Sequence, residues 1–234
     1  MDGCPAGWIA IMMPPGDPGA ASLRFAATCD ALLPGVAAMA IDIPIGLQSA
    51  GEAPRRRADV LARDYLSGRN LDGVAGVASR VFPAPTRPHL DALRSGAGYH
   101  DLAGAVPGVP KLSKQCYEIC PKIREIDDLC AARPAAPVYE AHPEVSFAFL
   151  AGRTLRRKKS AAGALQRIGL LEAQGLRFAG LAEEAGALAG AGLDDVLDAC
   201  VLALTADRIF GGGAFTLPDP PERDPEGRRR AIFC

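Results

Sequence analysis

Residues 37–43 form an apolar run that ends in Asp42-Ile43-Pro44-Ile45-Gly46. The run does not alternate apolar with polar positions, as the pattern of a strand with one wet face would require. It reads as a strand buried on both faces, with a sharp exit at Pro44 and Gly46, and such strands need packed layers above and below. This restricts the chain to architectures in which a sheet is covered on both sides.

The neighbouring segments fit that restriction. Trp8 to Met13 reads as a short apolar strand, closed by the turn signal Pro14-Pro15-Gly16-Asp17-Pro18-Gly19. Leu23 to Thr28 is its hairpin partner. Pro54 to Leu66 reads as a helix, with proline near its start and Asp59 and Arg63 spaced i, i+4. Residues 67–116 are rich in Pro and Gly. Helices follow over Gln115 to Leu129, after Pro143, over Ala161 to Gln174 and over Asp194 to Phe210, with a short strand at Val138 to Glu140. The alternation of strands and helices after an opening hairpin predicts a mixed α/β sheet in a single domain over 1–234, with a loop-rich and helical insertion at about 67–135 and an exposed tail at about 218–234.

Composition narrows the class. With 49% hydrophobic residues the 234-residue chain can bury a substantial core. No apolar run is long enough to cross a bilayer and no basic-then-apolar leader opens the chain, so a cytoplasmic location with no membrane partner is expected. Seven cysteines are scattered without zinc-type pairing; Cys116 and Cys120, four apart, lack a second pair and read as small buried thiols. The net charge of −1 excludes the broad basic field of a dedicated nucleic-acid binder. The basic clusters 55–57, 156–159 and 228–230 each read as solvated charge, although together they could face phosphate.

Acidic residues stand where acids should be rare. Asp42 ends the most buried strand and Glu140 ends another, while Asp198 lies inside the apolar helix 194–210 with Asp195 one turn earlier on the same face. An ionised carboxylate costs several kcal/mol to bury without a partner. Singly, each has an ordinary explanation: Asp194 or Asp195 as a helix N-cap, Asp42 as an acceptor at the turn into Pro44, Glu140 paired with His142 or an arginine. Asp198 is the hardest to explain so, because a mid-helix aspartate has poor propensity and no cap to make. Converging at one end of a sheet, such carboxylates form an oxygen-only set that selects Mg²⁺ or Mn²⁺ and could activate water against a phosphodiester.

Six ordered strings carry a family resemblance: Asp2-Gly3-Cys4-Pro5-Ala6-Gly7-Trp8, Ile41 to Leu47, Val81-Phe82-Pro83-Ala84-Pro85, Glu140-Ala141-His142-Pro143-Glu144, Lys158-Lys159-Ser160 with Gly163 and Arg167, and Asp194 to Ala199. Over nearly its whole length the chain resembles the DUF429 family, described as predicted ribonuclease H-like nucleases. The resemblance implies a ribonuclease H-like, mixed five-stranded sheet flanked by helices. It implies metal ligation by Asp2, Asp42, Asp195 and Asp198, with Asp42, Asp198, Asp195 and Glu140 in catalytic roles. Lys159, Arg167 and His142 would touch substrate, and Arg57, Arg63, Arg80 and Arg87 match further basic positions that could bind its phosphate oxygens. Members usually carry apolar residues ahead of the first aspartate. Here the chain opens at Met1-Asp2, so the first half-strand is expected to be missing or to lie upstream of this start, and Asp2 to be weakly anchored.

The function expected is metal-dependent phosphodiester hydrolysis on nucleic acid, with no obligate protein partner. The competing reading is an inactive module of the same fold that binds a small phosphorylated ligand or a protein. An actin-like kinase would need a second domain and a glycine-rich phosphate loop. Gly211-Gly212-Gly213 follows the last helix and reads as a helix stop.

Overall fold

The computed structural model describes residues 1–53, 55–102, 111–188 and 191–234. Among them, eight α-helices and seven strands form a mixed α/β fold. Strands β1 (Asp2–Cys4), β2 (Gly7–Met12) and β3 (Ser22–Ala26) make an antiparallel sheet. Strands β4 (Met39–Ile41) and β5 (Val138–Glu140) form a parallel pair, and β6 (Thr216–Arg223) and β7 (Arg229–Phe233) an antiparallel one. Regular strand pairing gives three small sheets.

Main-chain bonds connect these sheets. The Met1 nitrogen donates to Ala40 O at 2.8 Å and Asp42 N donates to Met1 O at 3.3 Å, which sets Met1 beside Ile41. Ala141 N donates to Ile41 O at 2.9 Å, and Ala141 bridges to Phe233 of β7. Met1 is buried, so Asp2 is held in a paired strand and is not the frayed residue expected of it.

Period-two alternation sorts the sheet residues between two cores. Ile9, Ile11 and Ala40 face a cluster built on α8 (Leu193–Phe210), α5 (Pro143–Ala151), α6 (Ala161–Ala173) and α7 (Phe178–Gly186). Trp8, Ala10, Met39 and Ile41 face the opposite cluster, which includes Cys116, Cys120, Ile123 and Ile126 of α4 (Lys114–Ala132). The strand read from residues 37–43 is therefore buried on both faces, although regular pairing covers only Met39–Ile41. Helix α8 is apolar on nearly all sides because α5, α6, α7 and the sheet enclose it. It ends at Phe210, and Gly212 at φ +73° serves the stop that the glycine triplet predicts.

Three expectations need correction. Residues 218–234 are no exposed tail: β6 and β7 form a hairpin in which Ala231, Ile232 and Cys234 are buried. Arg230, from the supposed surface cluster, is buried too, and donates to Gly46 O, Leu47 O and Glu52. Helix α1 runs Arg57–Gly68, and Pro54, expected near its start, lies outside the described residues. Within α1 the i, i+4 pair does not form: Asp59 pairs with Arg56 at 2.5 Å and Arg63 donates to Val81 O. The insertion carries α2 (Arg87–Arg94), α3 (Tyr99–Leu102) and α4, and α4 packs into the core as one wall of the sheet. Of the seven cysteines, all free, Cys130 is half-buried and the other six are buried.

Candidate functional site

Strand parity decides which acids can meet. Asp2 pairs across β1–β2 with Ile9, whose side chain faces the α8 core, so Asp2 stands on that face. Asp42 lies two residues beyond Ala40, which faces the same core, and so emerges on the same side. Helix α8 crosses this face and presents Asp198, 3% exposed, from an otherwise apolar turn. Asp2, Asp42 and Asp198 therefore line one cavity of about 600 Å³, reached from three different elements.

The electrostatics record this convergence. Burial pushes the Asp198 carboxyl up to about 7, against the pull of Lys158. Asp2 is raised well above the ordinary carboxylate range, by burial first and then by the charges of Asp198 and Asp42. Asp42 is raised by burial, which outweighs the opposing pull of His142 and Lys158. Lys158 supplies the counter-charge: its Nζ lies 2.5 Å from Asp198 Oδ2 and 3.7 Å from Asp194 Oδ2. Burial opposes its charge, but Asp198 together with Asp2 and Asp194 outweighs burial and holds the lysine protonated above its ordinary value. The second oxygen of Asp198, Oδ1, is buried and has no hydrogen-bond partner among the described residues.

Glu140, with Arg56 and Asp59, lines the same cavity but is held differently. It pairs with Ile41 across β4–β5, and Ile41 faces away from α8, so Glu140 points to the opposite side of the sheet from Asp42. There Arg56 Nη2 binds Glu140 Oε1 at 2.6 Å and Asp59 Oδ1 at 2.5 Å, and Ile45 N donates to Glu140 Oε2 at 2.7 Å. Arg56 also donates to Ile45 O at 2.8 Å. This buried Asp59–Arg56–Glu140 group clamps the turn that follows Asp42. Glu140 is thus tied to this turn, and Arg56, read from sequence as surface charge, is its buried partner at 2% exposure.

Asp195 does not line the cavity; its Oδ2 accepts from Gly192 N at 2.8 Å and caps α8. Arg167 does not line it either. Fully buried, it donates to Arg156 O, Gly163 O and Glu144, so it holds the 156–159 loop and no substrate. Lys159 is exposed and His142 half-buried, and both line the cavity; His142 Nδ1 is buried without a partner among the described residues. Arg57 pairs with Glu222 at the surface, and Arg87 joins Asp127 and Asp224 away from the cavity.

Sequence reasoning passed over Lys158 and Glu144 as site residues and offered Arg80 only as one of several arginines that could bind substrate phosphate. Each sits beside a residue that was singled out, but which member of a basic run or an acidic string turns inward depends on the loop that carries it. Glu144, at the start of α5, accepts from Arg80 and Arg167 at 2.5 Å each.

The donor set suits a hard divalent cation in type, since carboxylate oxygens dominate and one buried oxygen of Asp198 is unpaired. It is not a ready cage: among the described residues no group of three His, Cys, Asp or Glu is arranged to hold a metal ion. Lys158 stands on Asp198 where such an ion would bind. No helix among the described residues is long and apolar enough to cross a membrane.

No curated protein and no solved structure matches the chain. Over residues 1–223 it matches the model of a family described as a protein of unknown function, DUF429, and it belongs to that family.

Proposed function

We propose that this chain is a divalent-metal-dependent phosphodiesterase that cleaves nucleic acid. The observation that carries the reading is the meeting of Asp2, Asp42 and Asp198 in one cavity, with Lys158 as their counter-charge and Asp198 Oδ1 left unpaired. Three acids kept together against their own repulsion, Asp198 buried and Asp2 and Asp42 half-buried, are a cost to folding, and such costs concentrate at functional sites.

In this reading Asp2, Asp42 and Asp198 would hold Mg²⁺ or Mn²⁺, with Lys158, also 3.7 Å from Asp194 Oδ2, as the neighbouring cation that the ion would compete with. The ion would activate water and stabilise the leaving oxygen. Glu140 and Arg56 fix the turn after Asp42 so that its carboxylate stays in place. Arg157 and Lys159, exposed at the cavity, face the incoming phosphate backbone. The main-chain bonds at Met1 and Ala141 support a strand order β3-β2-β1-β4-β5, the arrangement of a five-stranded ribonuclease H-like sheet.

One observation favours a second reading, a retired site that binds ligand without turnover: the lysine already seated on Asp198. Calorimetric titration of MnCl2 into wild type and Asp198→Asn separates the two, together with cleavage of mixed DNA and RNA substrates with and without chelator. The nuclease reading expects Mn²⁺ binding and metal-dependent cleavage by wild type, both lost in a folded Asp198→Asn protein. Absence of binding and cleavage in wild type would leave the retired site as the better account.

A further inference from the structure

Among the basic residues around the cavity, Arg80 alone combines a fixed guanidinium with an unused donor. It ends the short turn Ala78–Arg80, set by Gly76 at φ +72° and by Ser79 Oγ donating to Gly76 O at 2.8 Å. Its Nη1 is tied twice, to Glu144 Oε2 at 2.5 Å and to Leu155 O at 2.9 Å. Its Nη2 is buried and has no partner among the described residues. The other candidates are committed: Arg56 to Glu140 and Asp59, Arg63 to Val81 O, and Lys122 to Gly7 O and the Trp8 ring. Lys159 lies on the same cavity, exposed and without an ion pair to any described residue.

A buried guanidinium N–H without an acceptor is unstable where it stands unless an acceptor arrives. A guanidinium held along one edge presents the other in a fixed direction, which suits a phosphate oxygen better than a mobile ammonium does. The cavity lining holds the carboxylates of Asp2, Asp42 and Asp198 and also the cations Arg80, Lys158 and Lys159. We propose that Arg80 and Lys159 form a phosphate subsite that seats a phosphodiester oxyanion of the bound strand. The inference rests on the proposed phosphodiesterase reading, but the subsite itself needs no metal.

Calorimetry with inorganic phosphate, in EDTA, tests it apart from the metal site. Wild type is expected to bind phosphate, with dimethyl phosphate competing as the diester. Arg80→Gln should bind at least tenfold more weakly. Arg80→Lys keeps a cation for Glu144 and guards against a folding defect; it should lose a similar factor. Lys159→Gln, at an exposed position, should lose about threefold. Asp198→Asn should bind phosphate at least as tightly as wild type, because a nearby negative charge is gone. No phosphate binding by wild type, undiminished binding by a folded Arg80→Lys, or indifference to the diester would each overturn the proposal. Mn²⁺ binding without phosphate binding would sink this subsite and leave the metal site standing; the reverse would sink the metal site alone.

Discussion

Lys158 Nζ lies 2.5 Å from Asp198 Oδ2, while Asp198 Oδ1 has no partner among the described residues. The lysine half-neutralises a carboxylate that α8 forces into an apolar setting, and it does so from a loop that arches over the helix start. A cation binding Asp198 competes with it for the carboxylate's charge. Lys158→Met is therefore expected to tighten Mn²⁺ binding by about tenfold, equivalent to about 1.4 kcal/mol. In the absence of metal the same variant should be less stable, because Asp198 loses its counter-charge. Calorimetry paired with urea denaturation checks both; weaker Mn²⁺ binding would show that Lys158 helps to build the ion site.

The three acids repel one another when no metal is present, and Asp2 bears this most plainly, being raised by burial and then by Asp198 and Asp42. Removing its charge should relieve the folded state. Asp2→Asn keeps an oxygen able to accept from Gly3 N, as Asp2 Oδ1 does at 2.7 Å. Metal-free Asp2→Asn is expected to melt about 2–4 °C above wild type, the shift that about 1 kcal/mol produces in a chain of this size. The gain should vanish or reverse in excess Mn²⁺. A lower melting temperature without metal would mean that the Asp2 carboxylate stabilises the fold.

Arg56 is the sole cation touching Glu140 and Asp59 among the described residues, and all three are buried. Deleting the guanidinium leaves two buried carboxylates uncompensated, a loss of about 3–5 kcal/mol. Arg56→Met should show that loss in chemical denaturation. Glu140→Gln keeps an acceptor for Ile45 N and should retain Mn²⁺ binding, because the Glu140 carboxylate is committed to Arg56 and Ile45 N. Loss of metal binding in a folded Glu140→Gln protein would return Glu140 to the catalytic set.

What the sequence made legible here was burial, and what it hid was direction. The apolar run ending at Asp42 and the aspartate inside helix 194–210 were informative because charge among apolar residues is costly and local. Glu140 looked equivalent to Asp42, since both end strands. Only the β4–β5 register, with Ile41 opposite Glu140, shows that the two point to opposite faces. Arg167 and Lys159 looked alike as basic residues of one string, yet the former is wholly buried beneath its loop and the latter exposed above it. The hairpin 216–233 was missed because its prolines and arginines mimic a solvated tail; pairing to β5 and to the turn after Asp42 is long-range and leaves no local pattern.

His89 gives the fold an acid limit of its own. It is buried at the third position of α2, where Nδ1 accepts from Thr86 N at 3.1 Å, and burial lowers its pKa below 6.5. The folded state therefore holds His89 neutral while the unfolded chain protonates it, so stability falls as pH drops through about 6.5. The wild-type minus His89→Gln difference in stability should shrink between about pH 7.5 and about pH 5.5. Glutamine at this position can still accept from Thr86 N and complete the cap. A difference that stays constant with pH would remove His89 as the titrating group.

Gly163 links the helix beneath the site to the loop above it. It sits in the first turn of α6, where Gly163 N donates to Ser160 Oγ at 3.1 Å. Alanine is the better helix former by about 1 kcal/mol, so propensity alone predicts that Gly163→Ala is stabilising. Packing predicts the opposite. A methyl there would lie 2.1 Å from Arg157 O and 2.9 Å from Arg156 O, and both are backbone atoms that can yield only by moving the loop. That loop carries Lys158 to Asp198, and Arg167 fastens it from below through Arg156 O. Gly163→Ala is expected to lose about 1–3 kcal/mol, the usual cost of overpacking. It should also change Mn²⁺ affinity, because Lys158 is no longer held on Asp198. Gly169, in the same helix with open space around its Cβ position, is the control: Gly169→Ala should stabilise by helix propensity and leave Mn²⁺ binding unchanged. If Gly163→Ala behaves like the control, the loop is free to adjust and the seating of Lys158 does not depend on α6.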